Sequence, residues 1–217
     1  MVLVIAIPAA AALMLLAEPI LATLFLYGDV MTPRDMSMAA LSLRAYSLGL
    51  VAFMLIKVLA PGFFARQDMR TPVRIGVIAM VSNMALNLIL VIPLHFYWQV
   101  GHVGLALATS LSAFLNALLL FFALRSKAIY VPGRAWLRFI LSLLLAVLLM
   151  VATLIWLGTQ FNAFDASLWQ QLSWWQRSTA IACICLAGLG VYLAVLGVGG
   201  MRLRDLKGPV KATTSSD

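Results

Sequence analysis

The chain has 217 residues, of which 64% are hydrophobic and only 10% are charged. Soluble globular domains are roughly 45–50% apolar and about 25% charged, so this excess of apolar side chains is too large for a water-shielded core. The composition excludes soluble enzymes, disordered chains and disulfide-rich scaffolds. It favours a protein whose solvent is the lipid bilayer, and the length gives room for about six spanning helices with short loops.

Six apolar runs of about 20 residues, each bounded by charged residues, proline or glycine, predict six transmembrane helices. They cover about residues 2–27, 37–59, 73–93, 103–124, 136–157 and 179–200. The first run contains Pro8 and Pro19, which membrane helices tolerate when neighbouring helices satisfy the freed carbonyls. The second run is expected to stop at Pro61, before a basic loop.

Lysine and arginine residues fall in alternate loops of this predicted topology. The loops after helices two and four and the tail hold most of the 15 basic residues: Arg66, Arg70, Arg74, Arg125, Lys127, Arg134, Arg138, Arg202, Arg204, Lys207 and Lys211. The other connections hold only Arg34 and Arg177. Because translocated loops are depleted of basic residues, the pattern predicts that both termini are cytoplasmic. Topology therefore explains the net charge of +8 better than a nucleic-acid-binding face does.

Three ionisable residues lie inside the predicted hydrocarbon region, where a charge costs at least about 2.5–3.5 kcal/mol and marks a candidate functional position. Glu18 in helix one and Arg44 in helix two lie at similar depth. We therefore expect an intramembrane ion pair, because pairing offsets part of the cost of burial. Alternatively, the Arg44 side chain snorkels, so that its guanidinium group reaches the interface between bilayer and water. Lys57, near the cytoplasmic end of helix two, either extends in the same way or faces a water-filled cavity.

Polar side chains form a stripe on each of two consecutive predicted helices. Asn83 and Asn87 lie four residues apart on one face of helix three, and Thr109, Ser112 and Asn116 share one face of helix four. Two such stripes either line a hydrophilic path or hydrogen-bond to each other between packed helices.

Small residues at helical spacing predict close packing of helices four and six. On helix four they are Gly104, Ala108 and Ser112, at four-residue steps. On helix six the stripe is longer, and we expect it to pack in the same way: Ala180, Cys183, Ala187, Gly190, Ala194 and Gly197. The two cysteines of the chain, Cys183 and Cys185, are interpreted as packing residues.

The connection between helices five and six is rich in aromatic residues: Phe161, Trp169, Trp174 and Trp175. Such residues concentrate where the bilayer meets water, so this connection is predicted to be an interfacial segment on the outer side. Contact with a substrate is the alternative function for these rings.

Sequence patterns typical of enzymes are missing from this chain. It has no glycine-rich phosphate loop, no cluster of metal ligands and no nucleophile paired with a histidine. Its two histidines, His95 and His102, flank an outer loop. The sequence therefore predicts neither catalysis nor a bound metal or cofactor.

Three segments of the chain resemble the MurJ (MviN) family of lipid II flippases. The run Leu59–Val73, which reads LAPGFFARQDMRTPV, resembles the family signature of an aromatic residue and alanine followed by polar residues and Arg-Thr-Pro-Val. The runs Leu16–Ile20 and Leu26–Val30 are similar to the end of a family helix and its outer loop. Gly104–Asn116 resembles a later family helix, so the resemblance covers about the first 125 residues.

The resemblance implies an all-α polytopic membrane protein that is part of a fourteen-helix transporter with two lobes. Its six helices would be helices nine to fourteen, and the amino-terminal lobe of the same transporter would be a partner. Residues 1–125 would be four helices of the second lobe, residues 126–200 two additional helices with the outer interfacial loop, and residues 201–217 a cytoplasmic tail. The implied activity is transfer of an undecaprenyl-pyrophosphate-linked peptidoglycan precursor, lipid II, from the inner to the outer leaflet of the bacterial cytoplasmic membrane by alternating access.

The same resemblance implies roles for particular residues. Arg66, Arg70 and Arg74 would lie at a cytoplasmic gate, where guanidinium groups suit a pyrophosphate headgroup. The last two helices would form a lipid-exposed groove for the polyprenyl tail. The full set of residues expected to bind substrate or to gate is Arg44, Lys57, Arg66, Arg70, Arg74, Asn83, Asn87 and Asn116. Two other functions stay open: a cation-coupled multidrug exporter of the same superfamily, and a membrane scaffold for cell-wall enzymes.

Overall fold

The computed structural model describes residues 2–25, 32–126, 135–165, 168–169 and 172–198, without the side chains of residues 33 and 135–138. The described residues form six long α-helices and no β-strand: α1 Val2–Phe25, α2 Pro33–Phe64, α3 Arg70–Trp98, α4 Gly101–Ser126, α5 Ala135–Gln160 and α6 Trp174–Val198. All six contain an apolar segment long enough to cross a membrane. The predicted tail, the run Leu26–Val30 and the basic residues Lys127 and Arg134 lie outside the described residues.

Helix α2 begins earlier than its apolar run predicted. Thr32 and Asp35 form a capping box: Thr32 Oγ1 accepts a hydrogen bond from the Asp35 backbone N–H at 3.2 Å. The Asp35 carboxylate accepts one from the Thr32 backbone N–H at 3.1 Å. These two bonds satisfy donors that have no partner in the first turn of a helix, so the helix extends into the polar flank.

Helix α2 also continues beyond Pro61 to Phe64, so the prediction that it stops at Pro61 is wrong. Proline removes only its own N–H, which deprives the Lys57 carbonyl of a donor. The Pro61 carbonyl still accepts the Ala65 N–H at 3.0 Å, which allows one further helical turn. Helix α3 passes Pro93 in the same way.

The helices pack in a defined order across the bundle. α4 lies between α2 and α3, α2 packs against α1, and α1 contacts the paired helices α5 and α6. The larger apolar core forms where α1, α5 and α6 meet and contains Leu16, Met150 and Ile184. A smaller core joins α2, α3 and α4 around Phe63 and Leu120.

The small residues of α4 pack closely, as their spacing predicted. Gly104, Ala108 and Ser112 are all buried. A Cβ atom on Gly104 would lie 3.1 Å from the backbone of Leu90 in α3. The absence of a side chain at this position therefore lets the two helix backbones approach each other.

The prediction that the small-residue stripe packs α6 against its neighbours is wrong for most of the stripe: Ala180 is buried, but Cys183, which was also interpreted as a packing residue, is exposed. Gly190, Ala194 and Gly197 are exposed, and no atom lies within 4 Å of a Cβ built on either glycine. The buried face of α6 is instead formed by Arg177, Ala180, Ile184, Gly188, Tyr192 and Leu196. Helical spacing shows which residues share a face but not which face meets a neighbour, and the larger side chains bury more apolar area against α1 and α5.

Among the aromatic residues between α5 and α6, Trp169 does not lie at the surface. Its side chain is 1% exposed and belongs to the larger core, so its predicted interfacial position is wrong. The Trp169 indole N–H donates to Thr23 Oγ1 at 3.3 Å, which satisfies the one polar group that this ring carries into the core. Trp174 and Trp175 are exposed as expected, with ring centroids 3.8 Å apart.

Candidate functional site

The turn between α2 and α3 presents the three arginines of the sequence signature. Asp68 fixes the start of α3, because its carboxylate accepts the Thr71 backbone N–H at 3.1 Å and the Thr71 hydroxyl at 2.8 Å. Arg66, Arg70 and Arg74 are all exposed. The turn therefore places three guanidinium groups at one end of the bundle, where an anionic group can reach them.

The polar stripes of α3 and α4 meet in a chain of hydrogen bonds. Asn87 donates through Nδ2 to Asn83 Oδ1 at 2.8 Å, and Asn83 donates to Ser112 Oγ at 3.0 Å. The Ser112 hydroxyl in turn donates to the Thr109 carbonyl at 3.1 Å. Asn87 Oδ1 is buried and has no hydrogen-bond partner in the described part of the chain. The bond between Asn83 and Ser112 joins the two helices.

The same stripes also line a groove between α2, α3 and α4. The groove has a volume of about 430 Å³ and contains Asn83, Ser112 and Asn116 among apolar neighbours such as Phe53 and Met80. The structure therefore shows hydrogen bonding between the packed helices for Asn83 and Ser112, and the groove that these two residues line with Asn116 has mostly apolar walls. Lys57 is exposed but does not line this groove.

Glu18 and Arg44 lie in contact between α1 and α2. Arg44 Nη2 is 3.4 Å from Glu18 Oε2, and the two side chains are 39% and 37% exposed. Arg44 and Lys57 are thirteen residues apart on α2, or roughly 20 Å at 1.5 Å per residue. The structure thus brings Glu18 and Arg44 together and keeps Lys57 apart from them.

A second groove, lined almost wholly by apolar groups, runs between α1, α5 and α6. Its volume is about 360 Å³. The residues that line it are Val4, Ile5, Pro8, Ala9, Ala12, Met150, Leu154, Cys185, Gly188, Leu189, Tyr192 and Leu193. The family resemblance implied a groove formed by the last two helices, whereas the groove described here also has α1 in its wall. In the sequence, the two prolines of α1 were the features that indicated contact with another helix, because each proline frees a backbone carbonyl that can accept a donor from outside α1.

The described residues hold no group of three or more histidine, cysteine, aspartate or glutamate side chains placed to bind a metal ion. His95 and His102 are exposed near the α3–α4 turn. The described residues thus combine the two grooves described above, the Glu18–Arg44 ion pair and a basic turn. Together with six apolar helices in the described part of the chain, these features define a polytopic all-α membrane protein.

Comparison with known proteins identifies the family. The model of the family described as lipid II flippase MurJ matches residues 1–171, so this chain belongs to the MurJ family. The chain is 47% identical over 209 residues to a probable lipid II flippase MurJ of Vibrio cholerae, and 39% identical over 206 residues to that of Haemophilus influenzae. It is 41% identical over 158 residues to the lipid II flippase MurJ of Burkholderia cenocepacia.

The relatives are much longer than this chain. The matches cover 95% of the chain but only 37% of the Vibrio cholerae protein and 38% of the Haemophilus influenzae protein. For the Burkholderia cenocepacia protein the shares are 73% and 29%. The six described helices therefore correspond to little more than a third of a complete family member.

Proposed function

We propose that this chain is the carboxyl-terminal part of a flippase that moves lipid II from the inner to the outer leaflet of the bacterial cytoplasmic membrane by alternating access. The observation that carries the proposal is the family match over residues 1–171. The activity is transport, and no bond of the substrate is made or broken. Both termini would be cytoplasmic, because the basic residues concentrate in alternate connections.

The division of the chain follows from this assignment. Residues 1–125 would belong to the second lobe of the transporter, residues 126–200 would form two additional helices with their outer loop, and residues 201–217 would form a cytoplasmic tail. The amino-terminal lobe would be the partner, since alternating access requires two bodies that move against each other around one site. The length of the relatives supports this partner.

The basic turn is proposed to meet the pyrophosphate of the substrate. Arg66, Arg70 and Arg74 are exposed at the predicted cytoplasmic end. A guanidinium group presents a planar set of donors that matches phosphate oxygens, and such charge-assisted bonds are stronger than neutral ones. Arg70 opens α3 and Arg74 lies one turn further on the same face, so both are held by a helix that Asp68 anchors.

The polar residues at membrane depth are proposed to bind substrate or to gate its path. Two of them, Asn83 and Asn116, line the groove between α2, α3 and α4. A third, Asn87, donates a hydrogen bond to Asn83. Arg44, paired with Glu18, and Lys57 place charge on α2 at two different depths. Ionisable groups at such depth carry an energetic cost that a functional role would explain.

The apolar groove between α1, α5 and α6 is proposed to hold the polyprenyl tail. Almost all of its lining atoms are apolar, and a hydrocarbon chain needs no hydrogen-bond partner there. A volume of about 360 Å³ lies within the roughly 300–1,000 Å³ that small-molecule sites occupy.

Complementation in cells depleted of their own flippase tests the proposal. The chain is expressed alone and together with the amino-terminal part of the Vibrio cholerae relative, and lipid II in the outer leaflet is measured. We expect rescue only when both parts are present. Absence of rescue with both parts in the membrane would contradict the transport function and favour a scaffold, whereas drug efflux without lipid II transfer would favour an exporter.

The Arg70→Ala variant tests the basic turn in that two-part system. Loss of a charge-assisted bond of about 1.5–3 kcal/mol predicts roughly a tenfold or greater fall in lipid II transfer at unchanged protein level. Arg70→Lys keeps the charge but not the fork of donors, so we expect an intermediate rate. Arg125→Ala, an exposed arginine at the end of α4, is the matched control and should transfer lipid II as the parent does. Equal losses for both alanine variants would mean that only general surface charge matters.

A further inference from the structure

Pro8 leaves one backbone carbonyl of α1 without its usual donor. In an α-helix the carbonyl of Val4 accepts from the N–H of residue 8, but proline has no N–H. Val4 and Pro8 are both buried, at the edge of the larger core. A carbonyl left unpaired in such a place is costly, so a donor from elsewhere in the fold is expected.

Tyr192 of α6 supplies that donor. Its hydroxyl donates to the Val4 carbonyl at 2.5 Å, joining residues 188 positions apart in the sequence. The Tyr192 side chain is 3% exposed, so water does not compete strongly for either partner. The hydrogen bond therefore ties one specific point of α6 to one specific point of α1.

This tie lies in the wall of the apolar groove. Val4, Pro8 and Tyr192 all line it, together with residues of α5. α6 packs mainly against α5, where Gly188 brings the two helices together: a Cβ on Gly188 would lie 2.6 Å from Leu154 Cδ2. Contact between α6 and α1 is much sparser. Packing therefore fixes the distance between α5 and α6, whereas the distance between α1 and α6 depends more heavily on the hydrogen bond from Tyr192.

We infer that Tyr192 is a positioning residue, whose hydroxyl holds α6 at the separation from α1 at which the groove accepts one apolar chain of a lipid. This role rests on the proposed function of the groove as the site of the polyprenyl tail. Tyr192 acts through the position of α6, and the bond it makes is needed only because Pro8 frees the Val4 carbonyl.

A double-mutant cycle on this chain in nanodiscs tests the inference. Tyr192→Phe removes the hydroxyl and keeps the ring, and Pro8→Ala restores an N–H that the Val4 carbonyl can accept within α1. Two properties are measured. The first is the distance between spin labels at positions 14 and 194, which are exposed and do not line the groove, in a background with Cys183 and Cys185 replaced by alanine. The second is the affinity of the unlabelled chain, with both cysteines in place, for a fluorescent polyprenyl phosphate.

We expect Tyr192→Phe to lengthen or broaden the distance distribution and to weaken probe binding about tenfold, because a buried carbonyl loses its partner. In the Pro8→Ala background the same substitution should change affinity by less than about threefold. Tyr97→Phe, at an exposed tyrosine of α3 far from the groove, is the control and should change neither property.

Two results would overturn the inference: unchanged distance and affinity in Tyr192→Phe, or an equal loss with and without Pro8. A changed distance with unchanged affinity would also overturn the inference, because the Tyr192 hydrogen bond would then not determine whether the groove binds the probe. If the parent chain binds no probe while the distances follow the cycle, the tie stands and the proposed occupant of the groove is rejected.

Discussion

Gly49→Ala perturbs a close approach between α2 and α4. A Cβ atom at Gly49 would lie 2.6 Å from Ser110 Oγ and 3.0 Å from Ser110 Cα, so a side-chain rotation alone cannot relieve the overlap. Overpacking costs about 1–3 kcal/mol, and displacing the Ser110 hydroxyl from the Ala45 carbonyl, which it bonds at 2.7 Å, adds about 1 kcal/mol. Alanine recovers about 1 kcal/mol of helix propensity. The net loss of stability is therefore about 1–3 kcal/mol.

Thermal unfolding of the detergent-solubilised chain measures this loss, which corresponds to a fall in Tm of roughly 2–12 °C. Gly190→Ala is the matched control, because it makes the same change in a helix interior where no atom lies within 4 Å of the new Cβ. It should leave the stability unchanged or raise it by up to about 1 kcal/mol. If Gly49→Ala unfolds at the same temperature as Gly190→Ala, the close approach of α2 and α4 is refuted.

Two further predictions concern contacts between distant parts of the chain. Glu18→Gln should lower stability by about 1–2 kcal/mol, less than the roughly 3–5 kcal/mol lost when a buried pair loses one partner, because the glutamine oxygen can still accept a hydrogen bond from Arg44. Trp169→Phe should lower stability by about 1–3 kcal/mol through lost volume and the lost bond to Thr23, as measured by thermal unfolding.

Matched variants separate the causes in these two cases. Exchanging the charges, with Glu18→Arg and Arg44→Glu together, should recover most of the stability that either single reversal loses; failure to recover would show that the pair contributes nothing. Thr23→Val removes the hydrogen-bonding oxygen and keeps the side-chain volume. No effect of Thr23→Val on stability would show that Trp169 contributes by packing alone.

Much of the architecture followed from the sequence. Each of the six apolar runs became a helix, and the proline residues of α1 lie inside it as predicted. The helix ends were less accurate because they depend on local hydrogen bonds rather than on hydropathy: the Thr32–Asp35 capping box and the Pro61 carbonyl each add residues to α2. The contact of Glu18 with Arg44 was also expected, because both lie at similar depth on consecutive helices.

Two of the wrong predictions concern which side chains of a segment face a neighbouring helix. Trp169 was assigned to the interface on its residue type alone, yet it fills the larger core. The exposed stripe through Gly190 and Gly197 and the buried stripe of α4 both keep small residues on one face of a helix, so spacing alone does not show which stripe is buried. In a chain that is apolar on almost every side, hydropathy does not mark the inward face, and this signal, which works for soluble helices, is lost.

By itself, the sequence determined that this chain contains long membrane-spanning helices and belongs to the MurJ family, because the bilayer demands long apolar runs and the basic loop carries a recognisable signature. Only the tertiary structure decided which polar atoms meet: Tyr192 with the Val4 carbonyl, and Asn83 with Ser112. Each of these hydrogen bonds joins two separate helices. It forms because packing brings a donor on one helix to an acceptor on the other that can still take a hydrogen bond. The two grooves have the same origin, since a cavity is a property of the space between helices and not of any one of them.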